Sequence, residues 1–222
     1  MVVDDQELVR AGIARLVTDD DIAVVAEAVD GQDALTQARA HRPDIILMDV
    51  RMPGTDGLTA TRAVIDEGLT AHTDQPIGII MLTTFDNDDA VDAALRAGAT
   101  GFLLKTAGSA QIIAAIRAVV AGKAWLDPGV IPPIIKKIVE GTVPSAKPIS
   151  SDVAKLTARE REVVTLLAQG FSDADIAAKL FISIATVKTH VTHALPKVGA
   201  RNRALLAIWA YQTGLVQVPD LQ

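Results

Sequence analysis

Cysteine is absent from this chain of 222 residues, and histidine occurs only four times. Disulfide bonds and thiolate metal sites are therefore excluded, and four scattered histidines are a poor basis for a zinc site. No run of about 18 uninterrupted apolar residues is present, so no membrane span is expected. The N-terminus also lacks the basic stretch leading into an apolar one that marks a signal peptide. With 50% hydrophobic residues, the composition predicts a folded cytoplasmic protein without membrane contact.

The formal net charge of −6 is distributed unevenly along the chain. Residues 1–127 contain 10 Lys and Arg against 20 Asp and Glu, a balance of −10, and residues 128–222 contain 11 against 7, a balance of +4. An acidic part joined to a basic part favours two separate functions, with nucleic acid as a natural partner of the basic part. A chance accumulation of basic residues is the alternative.

The first 122 residues alternate short β-branched runs with amphipathic segments. The runs predict five strands, at Val2–Val3, Ile22–Ala28, Ile45–Met48, Ile77–Leu82 and Gly101–Leu104. The segments between and after them predict helices at Glu7–Val17, Gln32–Ala40, Leu58–Glu67, Asp88–Ala97 and Ser109–Ala121. Strands that alternate with helices of this length indicate a parallel sheet covered on both faces. We therefore predict a doubly wound α/β domain with a five-stranded parallel sheet of the flavodoxin-like type.

A proline-rich stretch separates this domain from the rest of the chain. From Trp125 to Val153 the alternation stops and five prolines occur, which predicts a partly ordered linker around a short helix at Ile134–Glu140. The predicted organisation is a first domain at 1–122, a linker at 123–153 and a second domain at 154–222.

The second domain is predicted to be a small all-α domain. Thr157 and Ser172 each precede an acidic residue by three positions, as in a helix capping box, and Ser183 can cap a third helix. A fourth helix is expected at Arg203–Thr213. Pro196 lies inside the third helical pattern, and proline removes the hydrogen bond to the carbonyl four residues earlier, at Thr192. We expect the third helix to kink or fray from about Thr192.

Polar side chains follow four of the predicted strands. Asp4 and Asp5 follow the first strand, Asp49 the third, Thr83 the fourth and Lys105 the fifth. The carboxyl ends of parallel strands meet at one edge of the sheet, where ligands bind in such folds. Each residue alone is more simply a turn former, a helix cap or a solvated charge, but the set is expected to converge.

Converging carboxylates repel one another unless a cation neutralises them. Ligands that offer only oxygen favour a hard ion such as Mg²⁺. A carboxylate beside Mg²⁺ can attack a phosphoryl donor, with Lys105 and the Thr83 hydroxyl contacting the transferred oxygens. Only three residues precede Asp4, fewer than a typical strand contains, so any distortion of this site is expected first at Asp4 and Asp5.

Four segments resemble the receiver domain of NarL/FixJ-type response regulators: VVDDQELVRAGIARLV, PDIILMDVRMPGTDG, IIMLTTFDNDD and ALRAGATGFLLK. The resemblance spans nearly all of residues 1–122. It implies Asp49 as the phosphoacceptor. It implies Asp5, Asp49 and the Arg51 carbonyl as Mg²⁺ ligands, with Asp4 acting largely through water.

The same resemblance implies Thr83 and Phe102 as a switch pair and Lys105 as the cation that contacts the phosphoryl group. Phosphorylation by a sensor histidine kinase or a small phosphodonor is expected to draw Thr83 toward Asp49 and to let Phe102 turn inward. The receiver would then self-associate and release the second domain. Receivers often carry a proline in a cis bond after the lysine, whereas Thr106 stands here, so the loop geometry is expected to differ.

The segment LTAREREVVTLLAQGFSDADIAAKLFISIATVKTHVTHAL resembles the LuxR-type helix-turn-helix, and the match continues to about Leu215. It implies binding of double-stranded DNA, with base-edge readers at Lys188, Thr189 and Thr192 and phosphate contacts at Lys179, Lys197 and Arg201. Thr186 completes the predicted DNA-binding set. The resemblance also implies a homodimer whose contacts come from Leu205, Ile208 and Trp209 on the last helix.

The sequence as a whole predicts a DNA-binding transcriptional response regulator, switched by Mg²⁺-dependent phosphorylation of Asp49, and not an enzyme. One alternative is a phosphatase that works through an aspartyl-phosphate. Enzymes resembling the haloacid dehalogenases place an acid two residues after the nucleophile, where Arg51 stands here, so the donor for the leaving group is missing. The other alternative is a DNA-binding protein with a vestigial receiver that ignores phosphorylation.

Overall fold

The computed structural model describes residues 1–84, 88–127 and 153–216, with side chains for all of these except 88–92. The described residues fall into two compact units, one built around Met1–Val120 and the other containing residues 153–216. The predicted linker helix at Ile134–Glu140 lies outside the described residues. None of the helices in the described ranges is both long and apolar enough to cross a membrane.

The first unit is a parallel sheet with the strand order β2-β1-β3-β4-β5-β6. Its strands are β1 (Val2–Val3), β2 (Glu27–Ala28), β3 (Ile45–Asp49), β4 (Gly78–Thr83), β5 (Gly101–Leu104) and β6 (Trp125–Leu126). Its described helices are α1 (Glu7–Val17), α2 (Gly31–His41), α3 (Gly57–Asp66), α4 (Asp88–Ala97) and α5 (Ser109–Val120). All residues of β3 and β5 are buried, as expected for strands covered on both faces. The predicted doubly wound parallel fold is confirmed.

The predicted number of five strands is wrong, because β6 adds a sixth. Trp125 and Leu126 pair with Gly101 and Phe102 of β5. Two residues are too few to produce a recognisable strand pattern. The prolines that follow them indicated a linker instead of a strand. The new strand lies within the residues that were predicted to form the linker.

The second strand is shorter than predicted. It begins at Glu27 rather than Ile22, and Ile22 forms an isolated bridge to Asp19 instead. The reason lies in its partner, since β1 contains only Val2 and Val3 and can pair with only two residues of β2.

The second unit is helical throughout its described range. Its helices are α6 (Ala158–Ala168), α7 (Asp173–Leu180), α8 (Ile184–Val198) and α9 (Arg203–Gln212). They pack around buried apolar side chains contributed by all four helices, including Val163, Ile176, Val187, Leu206 and Trp209. The predicted caps are confirmed: Thr157 and Ser172 form capping boxes, and Ser183 accepts a hydrogen bond from the Thr186 N–H.

The third helix of this unit, α8, continues through Pro196. It ends at Gly199, whose φ of +74° suits glycine and whose N–H donates to the carbonyls of Leu195 and Pro196. The predicted fraying from Thr192 is therefore wrong. Thr192 is exposed, so water can satisfy the carbonyl that proline leaves without its helical donor.

Candidate functional site

Three carboxylates meet at the carboxyl edge of the sheet. One oxygen from each of Asp4, Asp5 and Asp49 lies within 4.8 Å of the others. Asp4 and Asp49 are buried, whereas Asp5 is exposed. The short β1 does not displace the group, because β1 pairs in register with β3 and so places Asp4 beside Asp49.

Lys105 joins two of these carboxylates. Its Nζ lies 2.7 Å from Asp4 Oδ2 and 2.8 Å from Asp49 Oδ2. The Lys105 N–H donates to the Thr83 carbonyl at 2.6 Å, which fixes the start of the loop after β5. The peptide bond between Lys105 and Thr106 is trans, and the lysine still reaches the acidic group.

Burial and pairing act in opposite directions on these groups. Burial raises the pKa of Asp49, and the hydrogen bond and charge of Lys105 offset this only in part. For Lys105, burial works against the charged form, but the hydrogen bonds to Asp4 and Asp49 outweigh it and raise the lysine pKa. The ammonium group is thus held in its charged form beside the buried carboxylates.

The donor set suits a hard divalent cation. Three carboxylate oxygens converge without a nitrogen or sulfur ligand among the grouped residues, which is the ligand type that Mg²⁺ prefers. Asp5 is exposed and can bind from the solvent side. The Arg51 N–H donates to Asp49 Oδ1 at 3.4 Å, so the loop that carries the Arg51 carbonyl lies beside the site.

Arg10 is a residue of this site that the sequence analysis missed. Its Nη1 donates to the Asp4 carbonyl at 2.9 Å, and its Nε donates to Glu27 on β2 at 3.0 Å. The only signal in the sequence was a basic residue on α1, six positions after Asp4, in an acidic part of the chain.

The predicted switch pair consists of Phe102, described by its burial, and Thr83, described by its hydrogen bond. Phe102 is completely buried on β5, so it already occupies the inward position in this structure, and its movement on phosphorylation stays a prediction. The Thr83 hydroxyl donates to the Thr84 carbonyl at 3.1 Å. Thr83 is therefore at the correct strand end without being bonded to Asp49.

Most of the predicted DNA contacts lie on the surface of the second unit. Lys179, Thr189, Thr192 and Arg201 are exposed, and Thr186 and Lys188 are partly exposed. Lys197 differs, because its Nζ binds both carboxylate oxygens of the buried Glu160, at 2.6 and 2.7 Å.

The predicted dimer contacts are also placed unequally. Trp209 is only 6% exposed and belongs to the core of the second unit, so it is not available on the surface of this structure as a dimer contact. Leu205 and Ile208 are partly exposed. Of the predicted set on α9, these two remain accessible to a second copy.

Comparison with protein families gives two matches that together cover both units. A family model described as the response regulator receiver domain matches residues 1–117. A second, described as bacterial regulatory proteins of the luxR family, matches residues 154–210.

Individual proteins match over nearly the full chain. The transcriptional regulatory protein LiaR of Bacillus subtilis is 38% identical, with 97% of this chain and 98% of LiaR covered. The crystal structure of the response regulator ChrA of a haem-sensing two-component system is 38% identical with a TM-score of 0.51, covering 97% of this chain and 96% of ChrA. A structure of RcsB dimers bound to DNA is 25% identical with a TM-score of 0.52, covering 94% of each chain.

Proposed function

This chain belongs to the NarL/FixJ-type response regulators, which are transcription regulators with a receiver and a LuxR-type DNA-binding domain, and we propose that phosphorylation of Asp49 controls its binding to DNA. The proposed domains are the receiver at 1–122, the linker at 123–153 and the DNA-binding domain at 154–222. A sensor histidine kinase or a small phosphodonor supplies the phosphoryl group.

The observation that carries this proposal is the convergence of Asp4, Asp5, Asp49 and Lys105 at one edge of the sheet. Asp5 and Asp49, with the Arg51 carbonyl, would hold Mg²⁺ directly, and Asp4 would act through water. When bound, the cation supplies positive charge for the phosphoryl oxygens.

Asp49 acts as the nucleophile. One of its carboxylate oxygens attacks the phosphorus atom, the bond from phosphorus to the donor atom breaks, and the donor retains the electron pair. Lys105 already contacts Asp49 Oδ2, so its ammonium group favours the ionised, attacking form of the carboxylate. The same ammonium group then lies within reach of the transferred oxygens.

Thr83 responds to the product. Its hydroxyl now donates to a neutral carbonyl, that of Thr84. A phosphoryl oxygen on Asp49 is a charged acceptor, and charge-assisted hydrogen bonds are stronger than neutral ones. The hydroxyl therefore turns toward Asp49, and this change shifts the receiver between two conformations.

The DNA-binding domain uses α8 as its recognition helix. Lys188, Thr189 and Thr192 read base edges, and Lys179 and Arg201 contact phosphates. Lys197 is assigned instead to the structural pair with Glu160. Leu205 and Ile208 supply the dimer contact, a proposal that the existence of DNA-bound RcsB dimers supports.

The test is phosphate uptake from a small phosphodonor in the presence of Mg²⁺. Asp49→Asn is expected to abolish incorporation of phosphate that hydroxylamine releases, as an acyl phosphate requires. Asp44→Asn is the matched control, because Asp44 is an exposed carboxylate directly before the start of the same strand. Unchanged uptake by Asp49→Asn would remove the assignment. Steady release of phosphate from an ester substrate would favour the phosphatase instead.

A further inference from the structure

An exposed apolar surface lies where the recognition helix begins. We call residues 181–185 the entry turn, because they lead from α7 into the first turn of α8. Phe181 is 94% exposed and Ile184 is 47% exposed, and Ala185 is exposed as well. Phe181 also adopts a left-handed conformation with φ of +55°, which ends α7 and leaves the phenyl ring outside the core of its unit.

The polar groups of the entry turn are engaged within the helix. Ser183 Oγ accepts from the Thr186 N–H at 3.0 Å and lies 2.8 Å from Thr186 Oγ1. One turn later, the Thr189 hydroxyl donates to the Ala185 carbonyl at 2.9 Å. The first turn of α8 contains no acidic residue, and no Lys or Arg stands between Phe181 and Val187. The surface presented at the start of α8 therefore consists mainly of hydrocarbon groups.

The N-terminal part of a recognition helix is the part that contacts base edges in the major groove. Among the base edges displayed there, thymine is the one that carries a methyl group, and apolar side chains contact it. Hydrogen-bond donors and acceptors of the other bases would find few free partners on this turn.

We propose that Ile184 and Ala185, flanked by Phe181, contact thymine methyl groups. This proposal rests on the DNA-binding function. The entry turn thereby sets the preference for thymine in each half-site. Lys188 and Thr192, which lie further along α8, read the adjacent base pairs. The partner that fits this surface is duplex DNA with thymines at the positions facing residues 184 and 185.

The experiment begins with selection of duplexes from a random pool by the full chain, in Mg²⁺ and beryllofluoride. Each thymine of the selected half-site is then replaced by deoxyuridine, which removes only the methyl group. We expect a loss of about fourfold in affinity at one or two positions, since burial of one methyl group contributes about that factor. In the Ile184→Ala variant, deoxyuridine at one of these positions should no longer reduce the affinity for DNA.

Two further variants separate contact from folding. Ile184→Glu places a carboxylate at a helix N-terminus, which favours the helix, and it should still remove the deoxyuridine effect. Leu8→Ala is the matched control, because Leu8 is an exposed apolar residue on α1 of the receiver, and it should retain the full effect.

Three outcomes would overturn the methyl-contact proposal alone, and a fourth would overturn the DNA-binding function on which it rests. Deoxyuridine without effect at every thymine, in a chain that binds the selected duplex, overturns the methyl contact and leaves the DNA-binding function standing. An effect of equal size in wild type and Ile184→Ala assigns the methyl contact to other residues. A change of sedimentation in Phe181→Ser without DNA assigns this surface to a protein contact. Failure of the wild-type chain to select any duplex refutes the DNA-binding function itself.

Discussion

Every polar group of Asp4 takes part in a hydrogen bond or ion pair. Its N–H donates to the Ala28 carbonyl, and its own carbonyl accepts from Arg10. Its two carboxylate oxygens accept from the Gln6 N–H and from Lys105 Nζ. With both oxygens occupied, Asp4 is better suited to hold a cation through water than to bind it directly, which supports the role proposed for it.

We predict that Arg10→Ala weakens Mg²⁺ binding and destabilises the receiver. The substitution leaves the carbonyl of the buried Asp4 without its donor, and an unsatisfied buried acceptor costs about 1–3 kcal/mol. It also frees the turn between β1 and α1 that carries both aspartates. Calorimetric titration with Mg²⁺ and urea unfolding measure the two effects.

Arg39→Ala is the control for Arg10→Ala. Arg39 forms a comparable pair with Glu67, but on the surface, where ion pairs contribute little. Mg²⁺ affinity should be unchanged in this variant. An equal affinity in Arg10→Ala would show that the arginine does not position the metal-binding turn.

The residues at the strand ends could be predicted because sheet topology places them. Asp49 and Thr83 end buried parallel strands, Asp4 and Lys105 directly follow such strands, and strands of this kind all end at one edge. Arg10 could not be predicted, because its role depends on where a long side chain turns across the loop. The burial of Phe102 could not be predicted either, since a sequence does not specify which of two conformations is populated.

Among the helices, the pairing of Glu160 with Lys197 ties the start of α6 to the end of α8. Burial alone would raise the pKa of Glu160, but the hydrogen bonds from Lys197 and the Thr157 N–H outweigh it and lower the pKa. The depressed pKa means that the ionised carboxylate stabilises the folded state. That contribution is present above the ordinary glutamate pKa of about 4.3 and is lost as the pH falls through the lower folded value.

We predict that Glu160→Gln destabilises the second unit by about 1–3 kcal/mol at neutral pH, because hydrogen bonds to a charged group are lost. The difference from wild type should shrink as the pH falls below about 4.3. Urea unfolding followed by NMR signals of α6 and α8 reports this unit separately. Glu162→Gln, which breaks the exposed pair with Arg159, should change little, and a pH-independent effect of Glu160→Gln would contradict the assignment.

Pro196 leads to a second prediction for α8. Pro196→Ala restores an N–H that can bond the Thr192 carbonyl, so the second unit should gain stability, by up to about 3 kcal/mol. His193→Ala in the same helix is the control and should change stability by less than about 0.7 kcal/mol. The same unfolding experiment compares the two. Equal gains would mean that proline costs nothing so close to the end of this helix.

The limits of prediction at this scale follow from strand length and neighbours. Strand β3 could be predicted because five buried residues leave a continuous apolar run. Strand β6 contains two partly exposed residues, and β2 is shortened by the two-residue β1 beside it. Such effects depend on pairing partners that are distant in sequence.

For the whole molecule, the prediction concerns the link between the two units. Beryllofluoride with Mg²⁺, as an analogue of the phosphoryl group, should shift the full chain toward a dimer and increase its DNA affinity. Because phosphate contacts make DNA affinity strongly dependent on salt, both measurements need one fixed ionic strength. Sedimentation velocity and DNA titration provide the readouts.

Asp49→Asn is the control for this experiment and should not respond to the analogue. The two receiver conformations need differ in free energy by only a few kcal/mol for a phosphoryl group to reverse their populations. An oligomeric state and a DNA affinity that both ignore the analogue would identify a constitutive DNA-binding protein with a vestigial receiver.

Each unit contains one tryptophan, so the fluorescence of each unit can be followed separately. The chain has two tryptophans, Trp125 on β6 and Trp209 in the core around α9. The Trp125 Nε1 is buried and has no hydrogen-bond partner among the described residues, so its emission should respond to small changes in its surroundings. Because Leu126 pairs with Phe102, fluorescence of a Trp209→Phe chain would follow events at the switch residues, and that of a Trp125→Phe chain would follow the DNA-binding domain alone.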